Sequence, residues 1–270
     1  MNSADNRQRI AVGVEYDGAR YAGWQRQSEV ASVQAELERA LGSVADHPVE
    51  VTCGGRTDAG VHGLGQVAHF DTGSLRSMRG WALGANTLLP PDIAVTWAAA
   101  VPAGFHARYS ALARTYRYVI QNRDVRPALL RRRVCWIHRP LDAGVMHAAA
   151  QCLVGEHDFS AFRAAECQSR TATRRVESIA VRREDECVFI EIKANAFLHH
   201  MVRNIAGSLI DVGTGEQPAS WLPGVLASRD RRQAGITAPA GGLYFLRIDY
   251  PPEFALPVTS VGPWAMIAGA

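Results

Sequence analysis

Ile10, Val12, Val14 and Tyr16 alternate with smaller or more polar residues, a period of two that predicts a half-buried strand. Val33, Leu37, Leu41 and Val44 then recur at helical spacing, with Ser32 placed to cap the first turn. Strand-like runs follow at 49–53 and 66–70, separated by a glycine-dense loop. A helix near 78–87 and a strand near 93–99 complete the first half. The second half repeats the order. Tyr116, Tyr118 and Ile120 alternate along a strand, and Asp142 caps a helix carrying Val145, Met146, Ala149 and Leu153, with Gly155 as its C-cap. Strands at 176–182 and 188–194 precede a helix from about His199 to Val212, with Met201, Val202, Ile205, Leu209 and Ile210 on its buried side. A short helix at 221–227 and a strand at 244–250 follow.

Strand, helix and paired strands used twice predict an α+β chain of two similar halves. The boundaries read as 8–106 for the first half, 107–250 for the second, and 251–270 for a Pro-containing tail with no assigned structure.

Composition narrows the class. A chain of 270 residues with 47% hydrophobic and 20% charged residues fits a soluble globular enzyme. No apolar run reaches the roughly 18 residues that a membrane span needs, and the polar start, Met1 to Arg7, lacks a secretory core. A cytoplasmic location is therefore expected. The five cysteines are scattered without a Cys-x-x-Cys pair, so they are expected to be reduced and mostly buried. His199 and His200 are adjacent rather than four apart, and no metal site is expected. Lys193 is the only lysine, and Ala194 follows it, which excludes a Walker nucleotide loop. A Schiff-base mechanism would have to use this one lysine, within the strand pattern Val188-Ile190-Ile192.

The net charge of +3 conceals an uneven distribution. Nine arginines and a single acid, Asp124, lie between Arg108 and Arg139. A second basic stretch carries Arg163, Arg170, Arg174, Arg175, Arg182 and Arg183. Tyr109, Tyr116, Tyr118 and Trp136 are interleaved with the first, a combination suited to phosphates and unstacked bases. The competing reading is a solvated face whose charges pair locally.

The chemistry concentrates in Gly54-Gly55-Arg56-Thr57-Asp58-Ala59-Gly60-Val61-His62-Gly63. One carboxylate stands among glycines that permit close backbone approach to a planar substrate. A lone Asp with Arg56 nearby and no second carboxylate points to a nucleophile rather than an acid/base pair. A hairpin turn capped by Asp is the plainer alternative.

That loop resembles the catalytic loop of tRNA pseudouridine synthases of the TruA family. The resemblance extends through Glu15-Tyr16-Asp17-Gly18, Tyr21-Ala22-Gly23-Trp24-Gln25-Arg26-Gln27 and Asn86-Thr87-Leu88-Leu89-Pro90. It continues through Phe105-His106-Ala107-Arg108-Tyr109-Ser110, Arg114-Thr115-Tyr116-Arg117-Tyr118 and Gly155-Glu156-His157-Asp158-Phe159. Asn195 to Asn204 and Gly241-Gly242-Leu243-Tyr244 close it, so that it covers roughly 9 to 250. Thr115 stands where members often carry a second basic residue.

The resemblance implies the pseudouridine synthase fold: two ferredoxin-like halves sharing a mixed, largely antiparallel sheet with helices packed on it. It implies a homodimer that isomerises uridine at positions 38, 39 and 40 of the tRNA anticodon stem-loop. The reaction breaks the bond from ribose C1′ to uracil N1 and rejoins the base through C5, so it consumes no cofactor. Asp58 would be the catalytic carboxylate, through attack at C1′, attack at C6, or a glycal route in which it acts as base. Arg56 would fill the space left by the flipped nucleotide, and Tyr116 would lie against the extruded uracil. Arg203 resembles the arginine that pairs with the catalytic Asp, and His106 and Arg108 are candidates for contact with RNA phosphates. A non-catalytic tRNA-binding protein or RNA chaperone is the alternative from another class. An aspartate-dependent nucleosidase or phosphatase fits less well, because no DxDxT motif or carboxylate cluster is visible.

Overall fold

The computed structural model describes residues 7–257. The expectations for the first six residues and for most of the tail lie outside them. Two compact units emerge. The first takes in the chain up to Leu112 and resumes at Phe245, and the second is Ala113–Tyr244. Each is α+β, a sheet with helices packed on it.

The first unit begins with β1 (Gln8–Tyr16), α1 (Val33–Ala45), β2 (Thr52–Cys53), β3 (His62–Thr72), α2 (Met78–Leu88) and β4 (Ile93–Val101). β1 lies antiparallel between β3 and β4, with Val12 opposite Ala68 on one side and Ala98 on the other. Ser32 caps α1 as its position predicted, accepting from the Ala35 N–H. On one face of the sheet, Ile10, Val12, Val14, Leu37, Leu41, Phe70 and Trp81 form the main core.

The alternation along β1 is misleading about the other face. Ala11 is as buried as Val12, because Phe105, Val67 and Val101 cover that side and Phe254 and Leu256 pack against them. The start of the expected tail is thus part of this unit, with Phe254 in a short turn (Pro252–Phe254) whose ring meets Phe105 at 5.0 Å.

The strand expected at 49–53 shrinks to two residues. Val49 and Val51 are buried, but the Val51 N–H donates to Glu38 of α1 and its carbonyl accepts from Gln34, so neither group joins a ladder.

The second unit contains β5 (Ala113–Asn122), β6 (Cys135–Ile137), α3 (Ala143–Ala150), β7 (Gly155–Asp158), β8 (Thr173–Glu184), β9 (Cys187–Ala194), α4 (Met201–Gly213) and α5 (Trp221–Ser228). The strands run in the order β5-β9-β8-β7, all antiparallel, and β6 joins β5 in parallel, which makes the sheet mixed. Gly155 does not cap α3. That helix passes into a 3-10 turn at Gln151–Leu153, and Gly155 instead uses φ +111° to open β7. Asp142 does cap α3, accepting from the Val145 N–H. A final strand, β10 (Leu243–Asp249), returns the chain to the first unit beside β3.

All five cysteines are free, and only Cys135 and Cys167 are buried, fewer than expected. Among the described residues, no helix is long and apolar enough to cross a membrane.

Candidate active site

The Asp58 loop leaves β2 and enters β3, and the backbone around it is held at almost every step. The Gly54 N–H donates to the Val67 carbonyl at 2.7 Å, and Gln66 of β3 brackets Gly55 by donating to its carbonyl (2.6 Å) and accepting from its N–H (3.3 Å). Thr57 is buried, its hydroxyl 2.8 Å from the Tyr16 hydroxyl, while its carbonyl accepts from the Trp24 N–H at 3.0 Å. Gly60 donates to the Tyr21 carbonyl, and Val61 closes a turn onto the Asp58 carbonyl. His62 Nδ1 accepts from the Gly18 N–H at 3.1 Å.

The segment from Asp17 to Trp24 is therefore the mould of the loop. Gly23 shows why a side chain is excluded there: it sits at φ +102°, and a Cβ would lie 2.6 Å from the Thr57 carbonyl oxygen. Two stretches far apart in sequence are one structural object.

Between these anchors Asp58 is half-buried and Arg56 is exposed. Burial pushes the neighbouring Cys53 thiol up to about 11, with the charges of Arg56 and Arg108 pulling it the other way. Arg108 follows His106 on a loop that rests on β3. His106 Nδ1 accepts the N–H groups of Arg108 and Tyr109 at 3.1 and 3.2 Å. Burial and the charge of Arg9 hold His106 below its ordinary value, so it is neutral near pH 7 and carries its proton on Nε2.

In the second unit, Tyr116 lies on β5 opposite Ile192, buried, its ring edge-on to Phe197 at 4.9 Å. Arg203 stands in the first turn of α4, which His200 opens in a left-handed conformation at φ +61°. The Arg203 Nε donates to the Ala238 carbonyl at 2.8 Å, and the Ala238 N–H donates back to the Arg203 carbonyl.

The next residue, Asn204, is fully buried. Its amide donates to the Phe162 carbonyl, and its oxygen accepts from the Thr237 hydroxyl at 2.7 Å and from Arg231 at 3.1 Å. Gly207, one turn on, lets the Ile236 carbonyl approach so closely that a Cβ would lie 1.8 Å from it. The helix and the 235–238 segment are thereby fixed together, and the Arg203 side chain with them. Asn204 stood inside a resembling motif, but nothing in its spacing announced this role.

Part of the basic run is internal. Arg117, Arg123 and Arg139 pair with Glu191, Glu186 and Glu216, while Arg163 and Arg183 donate to backbone carbonyls. Among the described residues, Arg126, Arg131, Arg170 and Arg175 have no carboxylate partner. Tyr118 is buried with its hydroxyl on Pro239, and Trp136 is exposed but tied by its indole N–H to the Arg123 carbonyl, which leaves Tyr109 as the most exposed aromatic of the run. Thr115 is buried directly opposite Lys193, where a second cation would repel it across the strand pair.

The sequence matches the family described as tRNA pseudouridine synthase over residues 12–110 and 149–251. The chain belongs to the tRNA pseudouridine synthase family. Relatives named tRNA pseudouridine synthase A are 58% identical in Aeromonas salmonicida and 59% in Aeromonas hydrophila, each alignment covering 94% of this chain and 95% of the relative. A relative of the same name in Citrobacter koseri is 58% identical over 94% of each chain. At TM-score 0.32 and 14% identity, the likeness to an archaeal box H/ACA sRNP Nop10–Cbf5 complex, over 74% of this chain and 44% of that one, is too remote to add to this. The matched segments contain Arg56, Asp58, His106, Arg108 and Arg203, and Tyr116 falls between them.

Proposed function

We propose that this chain isomerises uridine to pseudouridine at positions 38, 39 and 40 of the tRNA anticodon stem-loop, in the cytoplasm, with Asp58 as the catalytic carboxylate. The observation that carries the reading is a half-buried Asp58 in a loop fixed by backbone hydrogen bonds, within a chain of this family.

A loop fixed before substrate arrives spends no binding energy on ordering itself and can present the carboxylate to an extruded base. Breaking the C1′–N1 bond and forming C1′–C5 returns every atom to the product, with one proton lost from C5 and one gained at N1. No oxidant, phosphate donor or metal is required by that balance. Extruding a stacked uridine costs a few kcal/mol. Arg56, exposed beside Asp58, occupies the vacated position, and Tyr116 offers its ring to the flipped uracil, where stacking contributes about 1–3 kcal/mol. Arg203 orients the carboxylate. Arg108 binds phosphate as a charge, and His106 as a neutral N–H donor. The protein acts as a homodimer with one RNA spanning both subunits.

The test is pseudouridine formation on unmodified tRNA transcripts by the purified protein in excess EDTA, with Asp58→Ala in parallel. Product confined to the anticodon arm and absent from the mutant supports reaction, region and residue together. Tight tRNA binding without product would turn the reading to a non-catalytic RNA chaperone. Light scattering that gave only monomer mass would remove the dimer.

A further inference from the structure

We infer that Tyr109 is a stacking platform for an unpaired nucleobase of the substrate RNA, with the Arg108 guanidinium beside it for the adjoining phosphate. This rests on the reading that the chain acts on tRNA, and it adds a recognition residue to that reading.

Tyr109 is 77% exposed, while the aromatic residue four positions earlier, Phe105, is fully buried. An exposed ring on a mobile loop would carry little meaning, since single exposed apolar side chains are ordinary. This loop is built. His106 Nδ1 accepts from the N–H groups of both Arg108 and Tyr109, the His106 N–H donates to the Ser110 hydroxyl at 3.0 Å, and the Ser110 N–H returns to the His106 carbonyl at 2.9 Å.

Below it, the Ala107 N–H donates to His69 Nδ1, and the Tyr250 hydroxyl donates to the Ala107 carbonyl at 2.6 Å. The imidazole of His106 lies 4.3 Å from the Tyr109 ring at 32°, and is itself backed by His69 at 4.9 Å. The result is a column of rings, edge-on and then tilted against one another, rising from β3 and ending in one that meets solvent. Arg108 Cζ lies over that last ring, 5.7 Å from its centroid, a cation–π contact from which the guanidinium turns to the phosphate when a base stacks.

Every nucleobase has a π-face, so such a platform binds an unstacked base without choosing its sequence, and a neighbouring guanidinium supplies the phosphate contact. The pedestal also touches the catalytic loop within the same unit: a Cβ on Gly54 would lie 3.1 Å from the Ala107 carbonyl. The Tyr109 loop and the loop that carries Asp58 thus pack on one framework.

The experiment measures the affinity of the full chain for an unmodified tRNA transcript across a salt series, together with single-turnover pseudouridine formation at saturating tRNA. Tyr109→Ala is expected to weaken binding roughly tenfold, with an unchanged saturated rate and an unchanged salt slope. Tyr109→Phe, which keeps the π-face, should bind like the parent. Arg108→Ala should lower the salt slope by about one.

Parent-like binding by Tyr109→Ala would overturn the proposal. So would binding by Tyr109→Phe as weak as that of Tyr109→Ala, or loss of dimer mass in Tyr109→Ala with tRNA affinity intact. If the parent binds tRNA but forms no product, the isomerase reading fails, while the affinity series still decides the platform.

Discussion

The Asp58 loop in the first unit and the Arg203 turn in the second are both rigid, but they are made rigid by different means. Around Asp58 the work is done mostly by main chain, with Gly54, Gly60 and Val61 as donors, the Thr57 carbonyl pressed against Gly23, and the Gln66 amide on Gly55 as the main side-chain addition. Around Arg203 it is done by one buried side chain, Asn204, which joins α4 to the Phe162 carbonyl, Thr237 and Arg231. A main-chain mould fails by steric intrusion and leaves the rest of the unit folded. A side-chain hub fails by orphaning several buried polar groups at once, which is a loss of stability before it is a loss of function. The first region should thus be fragile in turnover and the second in folding.

The largest expected effect lies inside the mould. Asp58→Asn keeps the shape and removes the charge, so turnover should vanish while tRNA affinity stays within a few-fold. Residual product from protein free of deamidation would sink the nucleophile assignment. Next is the hub: Asn204→Leu should destabilise the protein by about 3 kcal/mol, because it strands the Phe162 carbonyl and removes the buried acceptor that Thr237 and Arg231 share. Chemical denaturation with parent-like stability would erase the contrast.

Gly23→Ala should cost about 1–3 kcal/mol from strain at positive φ, and its catalytic loss should exceed what that destabilisation explains. A variant with normal single-turnover rate would show that the mould is not needed. Tyr16→Phe removes one buried hydrogen bond to Thr57, worth about 1 kcal/mol, and sharpens the comparison by testing a side-chain strut in the first region.

The last effect is a pH slope, nil at neutral pH. Burial, with the Arg9 charge next, lowers the pKa of His69 from 6.5 to about 4, so the folded chain refuses a proton that the unfolded chain accepts. Its contribution is present above about pH 6.5 and lost as pH falls towards 4. Thermal melts across that window should decline less steeply in His69→Asn, and an unchanged slope would count against the neutral imidazole.

The same contrast explains what could be read from the sequence. Long periodic elements such as β1, α1 and α4 were legible, as were the caps Ser32 and Asp142, because period and cap are local properties. β6 and β7, at three and four residues, are too short to show a period. Val51 looked like a strand residue because its side chain is buried, but its hydrogen bonds go to Glu38 and Gln34, a choice made only in three dimensions. The Asp58 loop announced itself through its glycines and its likeness to a known catalytic loop. Gly23 and Asn204 lay within quoted motifs, yet their roles depend on a carbonyl and a hub that no spacing reveals. The arginine run overstated the basic surface, since Glu186, Glu191 and Glu216, far along the chain, return to neutralise part of it.

The first unit is assembled from both ends of the chain, and this has a consequence for how the protein is made. As a ribosome delivers the chain at about 5–20 residues per second, β1 to β4 emerge early, but β3 lacks its β10 neighbour until all of Ala113–Tyr244 has been synthesised. The second unit is continuous and can close while the first still waits with an open strand edge, the kind of edge that invites pairing with other nascent chains. Phe254 and Leu256, which seal the far face of the sheet, come later still. The half that carries Asp58 is the first begun and the last finished, so a chain cut before Tyr250 would lose the packing behind β3 and Phe105 although every residue of the Asp58 loop had been made.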